Sequence, residues 1–305
     1  MRFIPPHRDV CLRAIGPTTG LPPHLQRAFA PGDDFAPLPR PGPHDWLARH
    51  PEPGQTFDAF VRSRPHQLDP VRRKLYVQPL DAFPLGQSPS LERLTQFAEA
   101  FFTLAVEVLP VLHIAGSGIT TRINPSTRQR QLLTGDILAL LQRRLPGNGY
   151  CVVGITMHDL YPHPSWNFVF GQAALHERIG VYSFARYAPP WAGAPTTDGE
   201  MLMLRRSCKV LAHETAHMFG IQHCIFFACL MNGSNHLAES DARPLHLCPV
   251  DLRKLYDSVR FDVVDRYRRL LAFSREVGFA DEAHWLAQRL ASLQGGASEA
   301  QALHR

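Results

Sequence analysis

The sequence predicts an α/β fold, in its mixed α+β form, on three observations. Helical and strand patterns alternate from about residue 90 to residue 187, the signature of layered α/β packing. Proline crowds the N-terminal stretch, where residues 1 to 85 hold 16 of the 27 prolines. Beyond Pro189-Pro190 the pattern turns helical, and Gly199 to Phe219 runs without proline along one long apolar face. The 305 residues are 45% apolar and 19% charged. That is ordinary globular composition for one or two domains, and it excludes pervasive disorder, collagen and a disulfide miniprotein.

The elements follow in order. Proline fixes φ and lacks a donor, so residues 1 to 85 are not mostly regular helix or central strand and read as an irregular arm packed on the body, with short helices such as Asp58 to Arg62. Ser90 caps a helix reaching about Phe102. Ala105 to Leu109 reads as a strand. Thr134 caps a helix to about Arg144, with Ile137, Leu138, Leu140 and Leu141 on one side, and Pro146-Gly147-Asn148-Gly149 ends it. Tyr150 to Thr156 is a short apolar run and a buried strand, and Trp166 to Gly171 and Ile179 to Tyr187 follow as strands. Asp251 to about Arg275 and Asp281 to Leu293 read as two C-terminal helices, with a fraying tail, Gln294 to Arg305.

Lys and Arg exceed Asp and Glu by 32 to 27, a balance of +5 that is too weak to argue for nucleic acid. Met1-Arg2-Phe3-Ile4-Pro5-Pro6 shows no apolar signal region, and no apolar run reaches the ~18 residues of a spanning helix. The expectation is a cytoplasmic protein with no membrane segment and reduced thiols. There are six cysteines: Cys11, Cys151, Cys208, Cys224, Cys229 and Cys248. The last three cluster, which in a reducing compartment favours metal over disulfide, while Cys151 and Cys208 read as buried apolar groups. His158, His163 and His176 read as surface or satisfied histidines, and Arg266, Arg268 and Arg269 around Tyr267 as a solvated face.

The informative segment is His213-Glu214-Thr215-Ala216-His217-Met218-Phe219-Gly220-Ile221-Gln222-His223, which fits HExxHxxGxxH. Histidines four apart on a helix share a face, so His213 and His217 can bind one ion. Glu214 stands beside the first and can reach a water on that ion as general base. Gly220 tolerates φ > 0 and lets the chain leave the helix and return with His223 as a third ligand. Three ligands leave a fourth zinc position open, the arrangement of catalytic zinc.

That run continues as Cys224-Ile225-Phe226-Phe227-Ala228-Cys229-Leu230-Met231 and reaches Cys248-Pro249-Val250-Asp251. Together with Asp159 to Pro162, Ser165 to Gln172, Ser183 to Tyr187, His50 to Pro53 and Tyr76 to Pro79, it resembles the archaemetzincins, metzincin-type zinc metallopeptidases, over about residues 44 to 260. The resemblance implies a metzincin-like zincin fold: a twisted mixed sheet, an active-site helix and a Met-turn at Met231, which is otherwise ordinary core filler. It implies a catalytic domain over 86–275, flanked by the arm 1–85 and a C-terminal helix and tail 276–305. It also implies a second, structural zinc on Cys224, Cys229, Cys248 and position 251. There the sequence departs, with Asp251 where the family pattern has its last cysteine. Carboxylate oxygen binds zinc, so a three-cysteine, one-aspartate set is feasible, and a set using His246 or His236 is the alternative.

The expected activity is peptide-bond hydrolysis, in an aminopeptidase-like manner by the resemblance. The competing class is a zinc-stabilised peptide- or protein-binding module without activity, which the presence of Glu214 disfavours. Substrate is expected to pair with a sheet edge, for which Gly180, Val181, Tyr182 and Ser183 are the candidates, a plain interior strand being the alternative that periodicity leaves open. Oligomeric state is open.

Overall fold

The structure is a computed structural model describing residues 3–174, 176–187 and 197–302, with side chains described to residue 294. In chain order the N-terminal part forms helices α1 (Arg8–Ile15), α2 (Pro23–Phe29), α3 (Trp46–Arg49) and α4 (Phe57–Arg62), then strand β1 (Lys74–Leu80) and helix α5 (Leu91–Phe102). Strands β2 (Ala105–Val108), β3 (Thr121–Ile123) and β4 (Arg130–Leu133) precede α6 (Thr134–Arg144). Strands β5 (Gly149–Thr156), β6 (Asp159–Tyr161), β7 (Gly171–Ala174) and β8 (Ile179–Ser183) lead to α7 (Thr197–Met218). Helices α8 (Leu237–Asp241), α9 (Pro249–Val259), α10 (Val263–Glu276) and α11 (Ala280–Ala302) close the chain. Among the described residues no helix is long and apolar enough to cross a membrane.

The mixed α/β class is as predicted. The chain divides into two compact units. One unit comprises residues 66–99 and 103–219, the other 1–65, 100–102 and 220–305.

The first of these units holds a five-stranded sheet of order β2-β1-β5-β8-β7 and a three-stranded one of order β3-β4-β6. In the larger sheet all pairings are parallel except β7 on β8. Strands β5 and β8 are buried at every position, as parallel strands covered on both faces should be. Register shows how. Gly154 pairs with Val181 and lies against Leu141 of α6, whereas Gly180, one residue along and so on the opposite face, lies against Met218 of α7. The core between α6 and the sheet gathers Leu80, Leu132, Ile137, Leu141, Val152, Leu160 and Val181.

Five expectations about elements need correction. Strand β1, an inner strand, lies inside the proline-rich stretch. Its Pro79 is tolerated because the Pro79 carbonyl accepts from Leu112 N on the β2 side, beyond the last β1–β2 pair at Val77 and Val108, so the missing N–H costs no ladder bond. Trp166 to Gly171 is a loop up to β7, because the Arg122 guanidinium holds the carbonyls of Pro164, Trp166 and Asn167. Thr134 does not cap α6; its hydroxyl lies 3.4 Å from Tyr161 O and also meets Gln172 Oε1, and Leu133 is the cap residue. The span Asp251 to Arg275 is two helices, broken where Arg260 turns left-handed (φ 61°) and Asp262 caps α10. Helix α11 continues past Leu293 to Ala302, and the last three residues lie outside the described ones, as does Pro189-Pro190.

Other expectations hold. Ser90 caps α5 by accepting from Arg93 N at 3.3 Å. Cys151 and Cys208 are buried thiols, and burial pushes Cys151 up to about 12.

The second unit is helical, with α1, α2 and α4 packed against α9. Arg253 of α9 donates to Ile15 O and to Pro17 O (2.9 Å) and lies 3.9 Å over the Phe57 ring. Arg289 of α11 binds Asp34 at 2.6 Å and Ala28 O at 2.8 Å. These long-range bonds tie the first 65 residues to the last helices. Arg266 corrects the solvated-face reading: it is fully buried, its Nε donates to Phe101 O at 2.6 Å, and burial lowers its pKa to about 10. Arg268 and Arg269 are exposed as expected.

Candidate metal centres

Helix α7 places His213 and His217 one turn apart with their Nε2 atoms 3.0 Å from each other. The helix end is fixed by Tyr150. Its ring stacks on Phe219 at 4.3 Å, and its hydroxyl, 3.1 Å from Met218 O, satisfies one of the carbonyls a helix terminus leaves unpaired. Gly220 then takes φ 79°, where a Cβ would also strike Pro65 at 2.8 Å. Three residues on, His223 completes the motif, and the ligand atoms of the three histidines all lie within 4.8 Å of one another. All three are half-buried.

Glu214 points to the sheet. Its carboxyl carbon lies 3.5 Å from where a Cβ on Gly171 would stand, at the start of β7. Strand β7 is last in the sheet order, and β8 is paired on both sides, with β5 and with β7. Gly180, Val181, Tyr182 and Ser183 therefore form an interior strand, not the substrate edge expected from sequence. Period-2 patterning cannot separate an edge from a centre when both faces are covered.

Cys224, Cys229, Cys248 and Asp251 form a second cluster, fully buried, with one ligand atom each within 4.8 Å of the others. Cys224 Sγ and Cys248 Sγ are 3.6 Å apart, and Asp251 Oδ2 lies 3.3 Å from Cys229 Sγ and 3.5 Å from Cys248 Sγ. The other carboxylate oxygen, Oδ1, is held at 2.8 Å by the buried Lys254 ammonium. Burial, then the Cys224 charge, push Asp251 up to about 6 against the pull of Lys254. Burial also raises Cys224, but hydrogen bonds from Cys229 and Cys248 and the Lys254 charge outweigh it, leaving that thiol well below its usual value.

Asn232 shapes this loop, with Nδ2 donating to Cys224 O and Phe227 O, both at 2.9 Å, and Oδ1 accepting from Cys229 N at 2.8 Å. Met231, fully buried, accepts from Cys224 N at 2.9 Å through its carbonyl. The two histidines weighed as substitutes lie elsewhere: His246 pairs with Glu282 at 3.0 Å and stacks on Trp285, and His236 pairs with Asp45 at 3.0 Å.

Both donor sets fit zinc. Two nitrogen ligands of a tetrahedral ion stand ~3.3 Å apart, two thiolates ~3.8 Å, and a thiolate and a carboxylate oxygen ~3.5 Å. The observed separations, 3.0, 3.6, and 3.3 to 3.5 Å, already approach those values.

Sequence reasoning missed the residues behind His223. Its Nδ1 lies 2.9 Å from Glu52 Oε1, the same oxygen that accepts from Trp46 Nε1 at 2.7 Å. Gln55, almost fully buried, donates to Gly220 O at 3.0 Å and accepts from Gln222 N at 3.1 Å. Only the familiar look of His50 to Pro53 hinted at this segment.

A family model described as Peptidase family M54 matches residues 146–257. Archaemetzincin-2 of Macaca fascicularis is 39% identical over 279 residues, which span 81% of this chain and 77% of that protein. Archaemetzincin-2 of Homo sapiens is 38% identical with the same shares. The crystal structure of archaemetzincin from Methanopyrus kandleri is 28% identical and covers 64% of this chain and 99% of that one, with a TM-score of 0.48. A chain with this histidine helix and these relatives is a zinc metallopeptidase. It belongs to the archaemetzincin family.

Proposed function

We propose that the chain hydrolyses peptide bonds at a zinc ion held by His213, His217 and His223, with Glu214 as general base. The observation that carries this reading is the group of three imidazoles beside a carboxylate that faces the last strand of a sheet. A bound zinc ion would supply Lewis acidity, polarising the scissile carbonyl, acidifying the attacking water and stabilising the oxyanion. Glu214 does the proton work: it takes a proton from the attacking water and delivers it to the leaving amine nitrogen. An extended peptide pairing backbone to backbone with β7 would pass beside that carboxylate. Gly171 lets β7 lie close on β8 beside that carboxylate, since a Cβ there would stand 2.9 Å from Val181 O and 3.5 Å from Glu214 Cδ. Three histidine donors leave a coordination position for substrate or water.

Cys224, Cys229, Cys248 and Asp251 supply four donors and would close a second zinc, which we assign a structural role. Met231 serves as packing tied to this loop.

The test is a peptide-library digestion by the zinc-loaded protein with the Glu214→Ala variant alongside, cut positions read by mass spectrometry. Cleavage by the wild type alone is expected, and cuts confined to the amino terminus would establish aminopeptidase-like action. A wild type that binds zinc and cuts nothing would leave the inactive zinc-stabilised binding module.

A further inference from the structure

We infer that Glu52 is a positioning residue for the third histidine, fixing its tautomer and its aim toward the metal. The inference rests on the zinc-peptidase reading above and extends it to the N-terminal segment, to which no role in the site has been given. A carboxylate only accepts hydrogen bonds at neutral pH, so the 2.9 Å contact between Glu52 Oε1 and His223 Nδ1 requires the proton on Nδ1. The lone pair then resides on Nε2, the form of imidazole that binds a metal. A carboxylate behind a metal-binding histidine also makes the ring a stronger donor and stops it from rotating.

Glu52 is itself held. Trp46 Nε1 donates to the same Oε1 at 2.7 Å, and the Trp46 and His223 rings stand edge to face at 5.2 Å and 79°. Trp46 in turn is fixed by its backbone N–H, 2.9 Å from Glu239 Oε1, and by Gly233, where any Cβ would come within 2.4 Å of the indole. Gln55 grips the loop on the other side, at Gly220 O and Gln222 N. The segment from Trp46 to Gln55 therefore clamps the short loop carrying His223 at three points: the ring itself, the ring nitrogen and the backbone. Glu52 is the one of these that acts on the histidine's electronic state, and the others set its place.

The experiment measures zinc affinity of the full chain by competition with a chromophoric chelator, with His217→Ala defining which bound zinc belongs to the histidine site. Glu52→Leu is expected to weaken that zinc by about 10- to 100-fold. Glu52→Gln keeps the shape and an acceptor oxygen but drops the charge; it is expected to fall between Leu and wild type. Zinc on the cysteine cluster should stay in all three. A merely structural Glu52 would instead lower thermal stability in the metal-free protein and leave zinc affinity unchanged. Wild-type affinity in both Glu52 variants, with zinc present at the histidine site, overturns the inference alone. A wild type lacking any zinc that His217→Ala removes overturns it together with the zinc-peptidase reading.

Discussion

The two clusters of potential ligands differ in the two respects that separate chemistry from architecture. The histidine set has three donors, each half-buried, on a helix end and the loop that follows it. The cysteine set has four donors, all buried, with Lys254 placed behind the carboxylate. Three donors and exposure leave room for a substrate; four donors and burial leave none. Burial also sets different electrostatic demands. Carboxylate and thiolate charge in a dry site is costly unless opposed, and here an ammonium and a cation would oppose it. Imidazoles bind a metal as neutral groups and need no such help. His223 and Cys224 are sequence neighbours, so one peptide bond joins the two sites.

The largest expected effect breaks the comparison by metal removal. Graded chelation should take the histidine-bound zinc first, abolishing hydrolysis while far-ultraviolet circular dichroism stays unchanged, and zinc should restore the activity. The second equivalent should leave only with loss of cooperative folding, since binding free energy at a structural site, about 10 kcal/mol or more in small zinc domains, is folding free energy. Loss of both equivalents together with no change of fold would erase the distinction.

Next in size is Glu214→Ala. Removing the proposed base should lower turnover by about 1,000-fold or more and leave the zinc content equal to that of the wild type. Turnover assays with metal analysis on the same samples check it. Activity within tenfold of wild type would assign the proton transfer elsewhere.

The reach of sequence reading divides along the same line. His213, Glu214, His217 and His223 are legible because helix periodicity and one glycine put them together within eleven residues. Cys224, Cys229 and Cys248 are legible from clustering, and Asp251 as a departure from a family pattern. What stayed hidden depends on contacts between distant segments. Glu52 meets His223 across 171 positions, and Gln55 meets Gln222 across 167. No local spacing encodes such pairs. Strand β1 was obscured because Pro79 argues against an inner strand until one sees which side its nitrogen faces. The edge strand was misplaced for a related reason: β8 has the apolar run, but β7, short and partly exposed, has the edge. The fold class survived these errors because alternation of elements, unlike order within a sheet, is written locally.

Lys254→Met sharpens the comparison on the cysteine side. It would leave the Asp251 charge facing an apolar side chain, a loss of about 3 kcal/mol on the scale of broken buried pairs. Denaturant unfolding measures it. Adding Asp251→Cys should recover most of that loss, because a fourth thiolate needs no ammonium on a second oxygen. A double variant as unstable as Lys254→Met would show that the lysine stabilises something other than the aspartate.

Asn232→Ala is the smallest effect and tests the peptide bond shared by the two sites. Its amide joins Cys224 O, Phe227 O and Cys229 N, so the change leaves three backbone groups of a buried loop without partners. Each group left dry would cost about 1–3 kcal/mol, but water filling the space of the lost amide re-pairs most of them, so a net loss of about 1–3 kcal/mol is expected in denaturant unfolding. The loop runs from Cys224 to Cys229, so zinc should leave the cysteine cluster measurably faster. His223 stands one residue outside it and is gripped separately by Glu52, Trp46 and Gln55, which should confine the change at the histidine site to a smaller factor. Equal acceleration of zinc release from both sites would mean that the peptide bond couples them and that the N-terminal clamp does not insulate the third histidine.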